Sequence, residues 1–216
     1  MTTSATAAAS GRIAWTWVLL SSLAVAAFAV APYLTADLRE LADSSSGSVA
    51  GNYVNAAPAI RIAFYTHIGG GGCALILGPL QFWRGLRTRW PAVHRWTGKA
   101  YLTAVGAGGL AGLVIAPCTD AGLIGTLGFG VLALLWLTTG ALGYRAIRRG
   151  DVAAHRAAMT RNFALTYAGV TLRLWLLLLT ASQVPFGTAY LIVPFLCWVP
   201  NLVVAEWLIV RRGLPR

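Results

Sequence analysis

The sequence predicts an all-α polytopic membrane protein, a bundle of six transmembrane helices with both termini cytoplasmic. Three observations predict it. The 216 residues are 57% hydrophobic and only 11% charged, with a mean hydropathy of +0.68, against roughly 25% charged residues in soluble domains. A soluble chain this short has no interior large enough to hide so much apolar surface, whereas a bilayer accepts it. Six apolar runs each reach the roughly 20 residues that cross a hydrocarbon core. The basic residues gather in short clusters between those runs, where the positive-inside rule places cytoplasmic connections.

Taken in order, an N-terminal tail (1–12) leads into a first span at 13–34. Arg12 before an apolar stretch and Ala29-Val30-Ala31 imitate a secretory signal. The run exceeds the roughly 7–15 residues of a signal core, and Pro32 would follow the cut, so the segment reads as a retained anchor. The 35–59 segment carries Asp37, Glu40 and Asp43 against Arg39, and its Ser, Gly and Asn content predicts an exposed extracytoplasmic connection. A five-span core domain follows at 60–210, with spans at 60–83, 97–117, 121–143, 162–181 and 188–210.

The 84–99 connection holds Arg84, Arg87, Arg89, Arg95 and Lys99, and the 144–161 connection holds Arg145, Arg148, Arg149, Arg156 and Arg161 against Asp151. Both are therefore cytoplasmic, as is the basic tail at 211–216 with Arg211, Arg212 and Arg216. Trp15, Trp17, Trp83, Trp90, Trp96 and Trp207 fall near the same boundary, where an amphipathic indole prefers to sit.

The net charge of +11 comes from 17 Lys and Arg against 6 Asp and Glu. The concentration of most basic residues in the connections marks topology rather than nucleic-acid binding. Cys73, Cys118 and Cys197 are far apart and odd in number, so they suggest neither a disulfide framework nor a cysteine metal site. P-loop, HExxH and GxSxG patterns are absent from the sequence, and six acidic residues are few for paired-carboxylate metal chemistry. Whether the protein is an enzyme is left open by these signals.

A shift of 61 residues pairs Arg84 with Arg145, Arg87 with Arg148, Ala92 with Ala153, His94 with His155 and Arg95 with Arg156. This is a weak internal repeat of 84–101 on 145–162, and parallel repeats in membrane proteins often place a site between their halves.

Ionisable and polar groups inside a bilayer are costly unless partnered, so each one within a span is a candidate for function. His67 shares a helix face with Gly71, Ala74 and Gly78, just before and within a Gly69–Gly72 run that permits tight packing or room for a flat ligand. Asn162, Thr166, Gly169 and Arg173 form a polar stripe on span 5, and Arg173 lies too deep for the near interface, so it expects an acceptor in the bundle or an anionic ligand.

His94, Gly98, Tyr101, Gly108 and Gly112 follow one stripe of span 3, and the Gly108/Gly112 pair suits either the bundle or a homo-oligomer. His94-Arg95 and His155-Arg156 should sit at one depth. They would suit a b-type haem, its iron on His94 and His155 and its propionates on arginines, or a lipid phosphate, or no ligand. Asn201 and Glu206 mark span 6; Glu206 would pair with Arg211 one turn away, or internally with His94, His155 or Arg161.

These motifs carry a resemblance. His67, the Leu77–Phe82 run, Arg87, His94-Arg95-Trp96-Thr97-Gly98-Lys99-Ala100-Tyr101, His155-Arg156 with Met159, Arg161-Asn162, Leu172-Arg173, Asn201-Leu202 and Ala205-Glu206 resemble the bacterial membrane family catalogued as domain of unknown function 2306. The resemblance covers about residues 60–210 and implies a multi-helix membrane domain without an assigned activity. His94-Arg95-Trp96-Thr97-Gly98 is also similar to the His-Arg-x-Thr-Gly element near the haem and quinone sites of the succinate dehydrogenase cytochrome b subunit.

The expectation is a bacterial inner-membrane protein whose bundle binds a small hydrophobic or redox ligand such as haem b or a quinone. A small-solute or proton-coupled transporter and a non-catalytic lipid-interacting accessory protein are the alternatives. The lipid bilayer is the expected partner, and nucleic acid is not.

Overall fold

The computed structural model describes residues 2–44 and 50–215. The Ser/Gly core of the 35–59 connection (45–49) and the extreme tips of both tails lie outside the described residues. Every regular element among those described is helical: α1 (Thr2–Val30), α2 (Pro32–Thr35), α3 (Leu38–Ser44), α4 (Gly51–Val54), α5 (Pro58–Phe82), α6 (Arg84–Arg89), α7 (Pro91–Ile115), α8 (Gly122–Arg148), α9 (Val152–Thr166), α10 (Ala168–Ala181), α11 (Phe186–Leu196) and α12 (Val199–Arg211). Six stretches are long and apolar enough to cross a membrane: Gly11–Thr35, Pro58–Phe82, Pro91–Cys118, Gly122–Arg148, Val152–Ala181 and Phe186–Arg211.

The third and fifth of these begin earlier than hydropathy alone places them, at Pro91 rather than 97 and Val152 rather than 162. The two basic connections are consequently mostly helix. Hydropathy falls where Arg residues begin, but backbone hydrogen bonding continues until a real stop signal appears. Pro91 is pre-organised for a first helical turn. Gly150, at φ +78°, makes the turn between α8 and α9, and the Asp151 carboxylate accepts a 2.9 Å bond from Ala154 N–H. Pro91 and Val152, where the two helices start, are 61 residues apart, the offset that relates His94 to His155.

The α5 and α7 helices pack backbone against backbone. A Cβ on Gly70 would lie 2.8 Å from the Ala104 carbonyl oxygen and 2.9 Å from Gly108 Cα. Only glycine lets the two backbones approach this closely. Gly108 faces Gly70 and Gly112 faces the His67 ring, so the GxxxG pair serves the bundle.

The α1 helix packs against α5 and α10 through Ala26, Leu75 and Val170. Trp15 Nε1–H donates to the Pro79 carbonyl (3.0 Å), and the Ser21 and Tyr167 hydroxyls share a 2.7 Å bond. Trp15, Trp83 and Trp90 form a chain of ring contacts of 6.3 and 6.1 Å at the end where the basic residues cluster.

That basic end holds α6, the α8–α9 turn and the C-terminus of α12. At the far end, the 35–59 segment is not simply an exposed connection. Leu38, Ala50 and Tyr53 are buried against Phe64, Ala111 and Ile115, with Tyr53 stacked on Phe64 at 4.0 Å.

The last two spans are broken. α9 gives way to α10 at Tyr167, and α11, carrying Pro194, gives way to α12 at Cys197–Trp198. Pro194 removes one ladder bond inside α11, and Pro200, in the first turn of α12, has no N–H to give the Leu196 carbonyl across the break. Side chains fill the gaps: Thr171 Oγ1 donates to the Cys197 carbonyl, and Asn201 Nδ2 donates to the Cys197 (3.0 Å) and Ala164 (3.1 Å) carbonyls.

Candidate functional site

The polar residues separate into three levels along the bundle. The middle one is sealed. Asn162 is 0% exposed and Tyr101 1%, and the Tyr101 hydroxyl donates to Asn162 Oδ1 at 2.6 Å and shares a 2.7 Å bond with Thr166. Trp136 Nε1–H donates to Thr166 Oγ1 at 2.8 Å, and Asn162 Nδ2 donates to the Trp136 carbonyl at 2.7 Å and to Thr139 Oγ1 at 3.0 Å. A buried network this completely bonded locks helices together. Tyr101 and Asn162 are thereby engaged with one another, and Asn201 with the α9–α10 and α11–α12 breaks.

Towards the far end, the stripe expected on span 5 is interrupted at Tyr167, so Arg173 lies on α10 away from the central network. Its Nη1 donates to the Gly169 carbonyl at 2.8 Å. Among the described residues it has no carboxylate partner. Its electrostatic neighbours are Tyr33, Tyr190 and His67.

On α5, the His67 ring makes a 2.8 Å hydrogen bond through Nδ1 with the Gly108 carbonyl oxygen, which fixes the tautomer and leaves Nε2 without a proton. The sealed polar side-chain atoms without a partner are Ser22 Oγ and His94 Nδ1. Among the described residues the Gly169 carbonyl is the hydrogen-bond partner of Arg173, and His67 Nε2 has none. Gly71, one turn from His67, has nothing within 4 Å of where a Cβ would stand. Arg173, His67 and Gly71 thus mark a part of the bundle that holds, among the described residues, one full positive charge and no carboxylate paired with it.

At the basic end, His155 Nδ1 bonds the Gly143 carbonyl oxygen at 2.9 Å. His94 Nδ1 is sealed without a partner. The charged surroundings of His94 are Arg87, His155 and Arg95, so the two imidazoles do lie in one neighbourhood. Arg87 Nη1 donates to the Gln81 carbonyl at 3.2 Å. Partial desolvation, and then the guanidiniums of Arg156, Arg84 and Arg212, lower the Arg87 pKa from its ordinary value.

Glu206 does not pair with Arg211. The α12 helix turns Glu206 towards α9, where Arg161 grips it through Nε and Nη2, the latter at 2.8 Å. Arg211 instead lies over the Trp207 ring at 4.5 Å. No group of three His, Cys, Asp or Glu side chains is arranged to hold a metal among the described residues.

Sequence reasoning missed Tyr33, Thr139, Trp136 and Tyr190 as members of these polar levels. Tyr33 was readable only as part of an anchor, and Trp136 only as an apolar residue of span 4. No curated protein and no solved structure matches the chain. A family model does: residues 64–209, which contain α7, most of α5, the sealed central network, His67, Arg173 and both His-Arg pairs, match the description predicted membrane protein (DUF2306), and the chain belongs to that family.

Proposed function

We propose that the protein binds a small amphiphile inside its helix bundle, with an oxygen-bearing head group, acidic or quinone-like, that accepts hydrogen bonds from Arg173 beside the His67 ring. The observation that supports this reading is Arg173, a guanidinium within a membrane-spanning helix that has one backbone bond and no counter-charge among the described residues. An uncompensated charge at that depth costs several kcal/mol. A ligand oxygen in a crevice between Arg173 and His67 would take up the Arg173 N–H groups that have no partner, and the open glycine face beside His67 would admit a flat ring or chain.

Thermal unfolding of the detergent-purified protein tests it, with decylubiquinone and oleate as separate probes. A rise in melting temperature with either probe, lost in Arg173→Gln and reduced in His67→Ala, supports the reading. Equal responses in the wild type and Arg173→Gln, or no response to either probe, overturn it.

A redox version places b-type haem at the basic end, with His94 and His155 as axial ligands and Arg87, Arg95 and Arg156 beside the propionates. One observation favours it. His155 gives Nδ1 to a backbone carbonyl, the arrangement that would leave Nε2 oriented for a metal. The ultraviolet-visible spectrum, before and after dithionite, decides: a Soret band that vanishes in His94→Ala/His155→Ala supports haem, and a featureless spectrum from haem-replete cells removes it. The reading places the basic end and both termini in the cytoplasm of a bacterial inner membrane, since Arg84, Arg87, Arg148, Arg156 and Arg212 gather there.

A further inference from the structure

On the membrane-facing side of α7 and α8 lies a groove of about 650 Å³, lined by Leu102, Val105, Gly106, Leu110, Leu137 and Ala141 and closed at its basic end by Lys99 and Tyr144. The size falls within the roughly 300–1,000 Å³ of small-molecule sites. It is a different place from the surroundings of Arg173, and none of its lining residues takes part in the reading above.

The two ends of the groove differ in chemistry. Its shaft is apolar, and Gly106 has nothing within 4 Å of a Cβ position. At its mouth, the exposed Lys99 ammonium stands 4.5 Å from the Trp96 ring centroid. Across from it, Arg148 Nη1 donates to the Tyr144 hydroxyl at 3.2 Å. None of the six acidic residues lines the groove.

The length fits as well. From Lys99 to Leu110 the helix climbs about 16 Å at 1.5 Å per residue, half of a hydrocarbon core of roughly 30 Å. The groove therefore starts at the interface and ends near the bilayer centre, which is the depth of one leaflet's acyl chains.

We propose that this groove seats one acyl chain of an anionic glycerophospholipid of the bilayer, with its phosphate group at Lys99 and the Tyr144–Arg148 pair. The cations select the head group and the apolar shaft holds the chain. Indole and phenol rings at the mouth sit where amphipathic aromatics meet head groups. A second copy of this chain is a poorer occupant, because the GxxxG pair that would let another helix approach is already spent on α5.

Native mass spectrometry of the detergent-purified protein tests this, with added palmitoyl-oleoyl phosphatidylglycerol or phosphatidylcholine. The wild type should retain phosphatidylglycerol at least fivefold more than phosphatidylcholine. Lys99→Gln/Arg148→Gln should bring that preference to within twofold, and Gly106→Leu should lower retention of both lipids at least fivefold. Ala107→Leu, on the exposed face next door, should leave both unchanged.

No head-group preference in the wild type, or wild-type retention in Gly106→Leu, overturns the proposal, as does a stable dimer that carries no lipid. If the bulkier side chain at 106 prevents folding, the charge variant alone decides, since both of its positions are solvent- or lipid-exposed.

Discussion

Replacing Gly70 with alanine should loosen the centre of the bundle more than its one added methyl group suggests. The new Cβ would lie 2.8 Å from the Ala104 carbonyl oxygen and 2.9 Å from Gly108 N and Cα, about 0.6 Å inside ordinary contact at 3.4 Å. All of these atoms are backbone. No side chain can rotate away, so α5 and α7 must separate along the seam that also carries the His67–Gly108 bond. Overpacking of this kind costs about 1–3 kcal/mol, and the better helix propensity of alanine returns up to about 1 kcal/mol. The net expectation is a loss of about 1–2 kcal/mol.

Gly69→Ala is the control. Its Cβ would meet nothing within 4 Å, so it should be neutral or stabilising by up to about 1 kcal/mol. The assay is unfolding in mixed micelles by sodium dodecyl sulfate, followed by circular dichroism. Equal midpoints for the two variants would refute the argument that backbone contact at Gly70 sets the helix spacing.

Tyr101→Phe removes the donor to Asn162 Oδ1 and should cost about 1–2 kcal/mol in the same assay, with roughly 0.6 kcal/mol as the lower figure typical of bonds between membrane helices. Glu206→Gln keeps the shape but removes the charge opposite Arg161; because the pair is partly exposed, the loss should stay under about 1 kcal/mol and shrink with added salt. Tyr53, outside the spans, has its phenol pushed well above the ordinary value by burial, and secondarily by Tyr190 and other nearby acidic groups. Its contribution to stability is full below about pH 10, where the unfolded phenol is also neutral, and is lost as pH rises further. Alkaline unfolding profiles should therefore fall less steeply in Tyr53→Phe, by at most about 1.4 kcal/mol per pH unit.

How far the sequence carries depends on the residue. The six spans are legible because apolar length and Arg clustering report directly on the bilayer. The starts of α7 and α9 are not legible from hydropathy, since Arg95 and Arg156 read as connection, yet Pro91 and Asp151 are local start signals that hold the helices open to earlier residues. Tyr101 and Asn162 are both visible as polar residues inside spans. That they bond each other is a matter of three-dimensional register, which spacing along one helix does not contain. Arg173 keeps its place as a candidate because the register gives it no carboxylate, and Glu206 finds Arg161 because helix rotation, not sequence proximity, chooses the partner.

The breaks at Tyr167 and at Cys197–Trp198 lie against each other, stitched by Thr171, Asn201 and Ala164. Two adjacent spans interrupted side by side expose backbone groups to one another rather than to lipid. A carbonyl at each break is thus bonded by a side chain of the other span, Cys197 by Thr171 and Ala164 by Asn201, so the two breaks seal one another against the hydrocarbon.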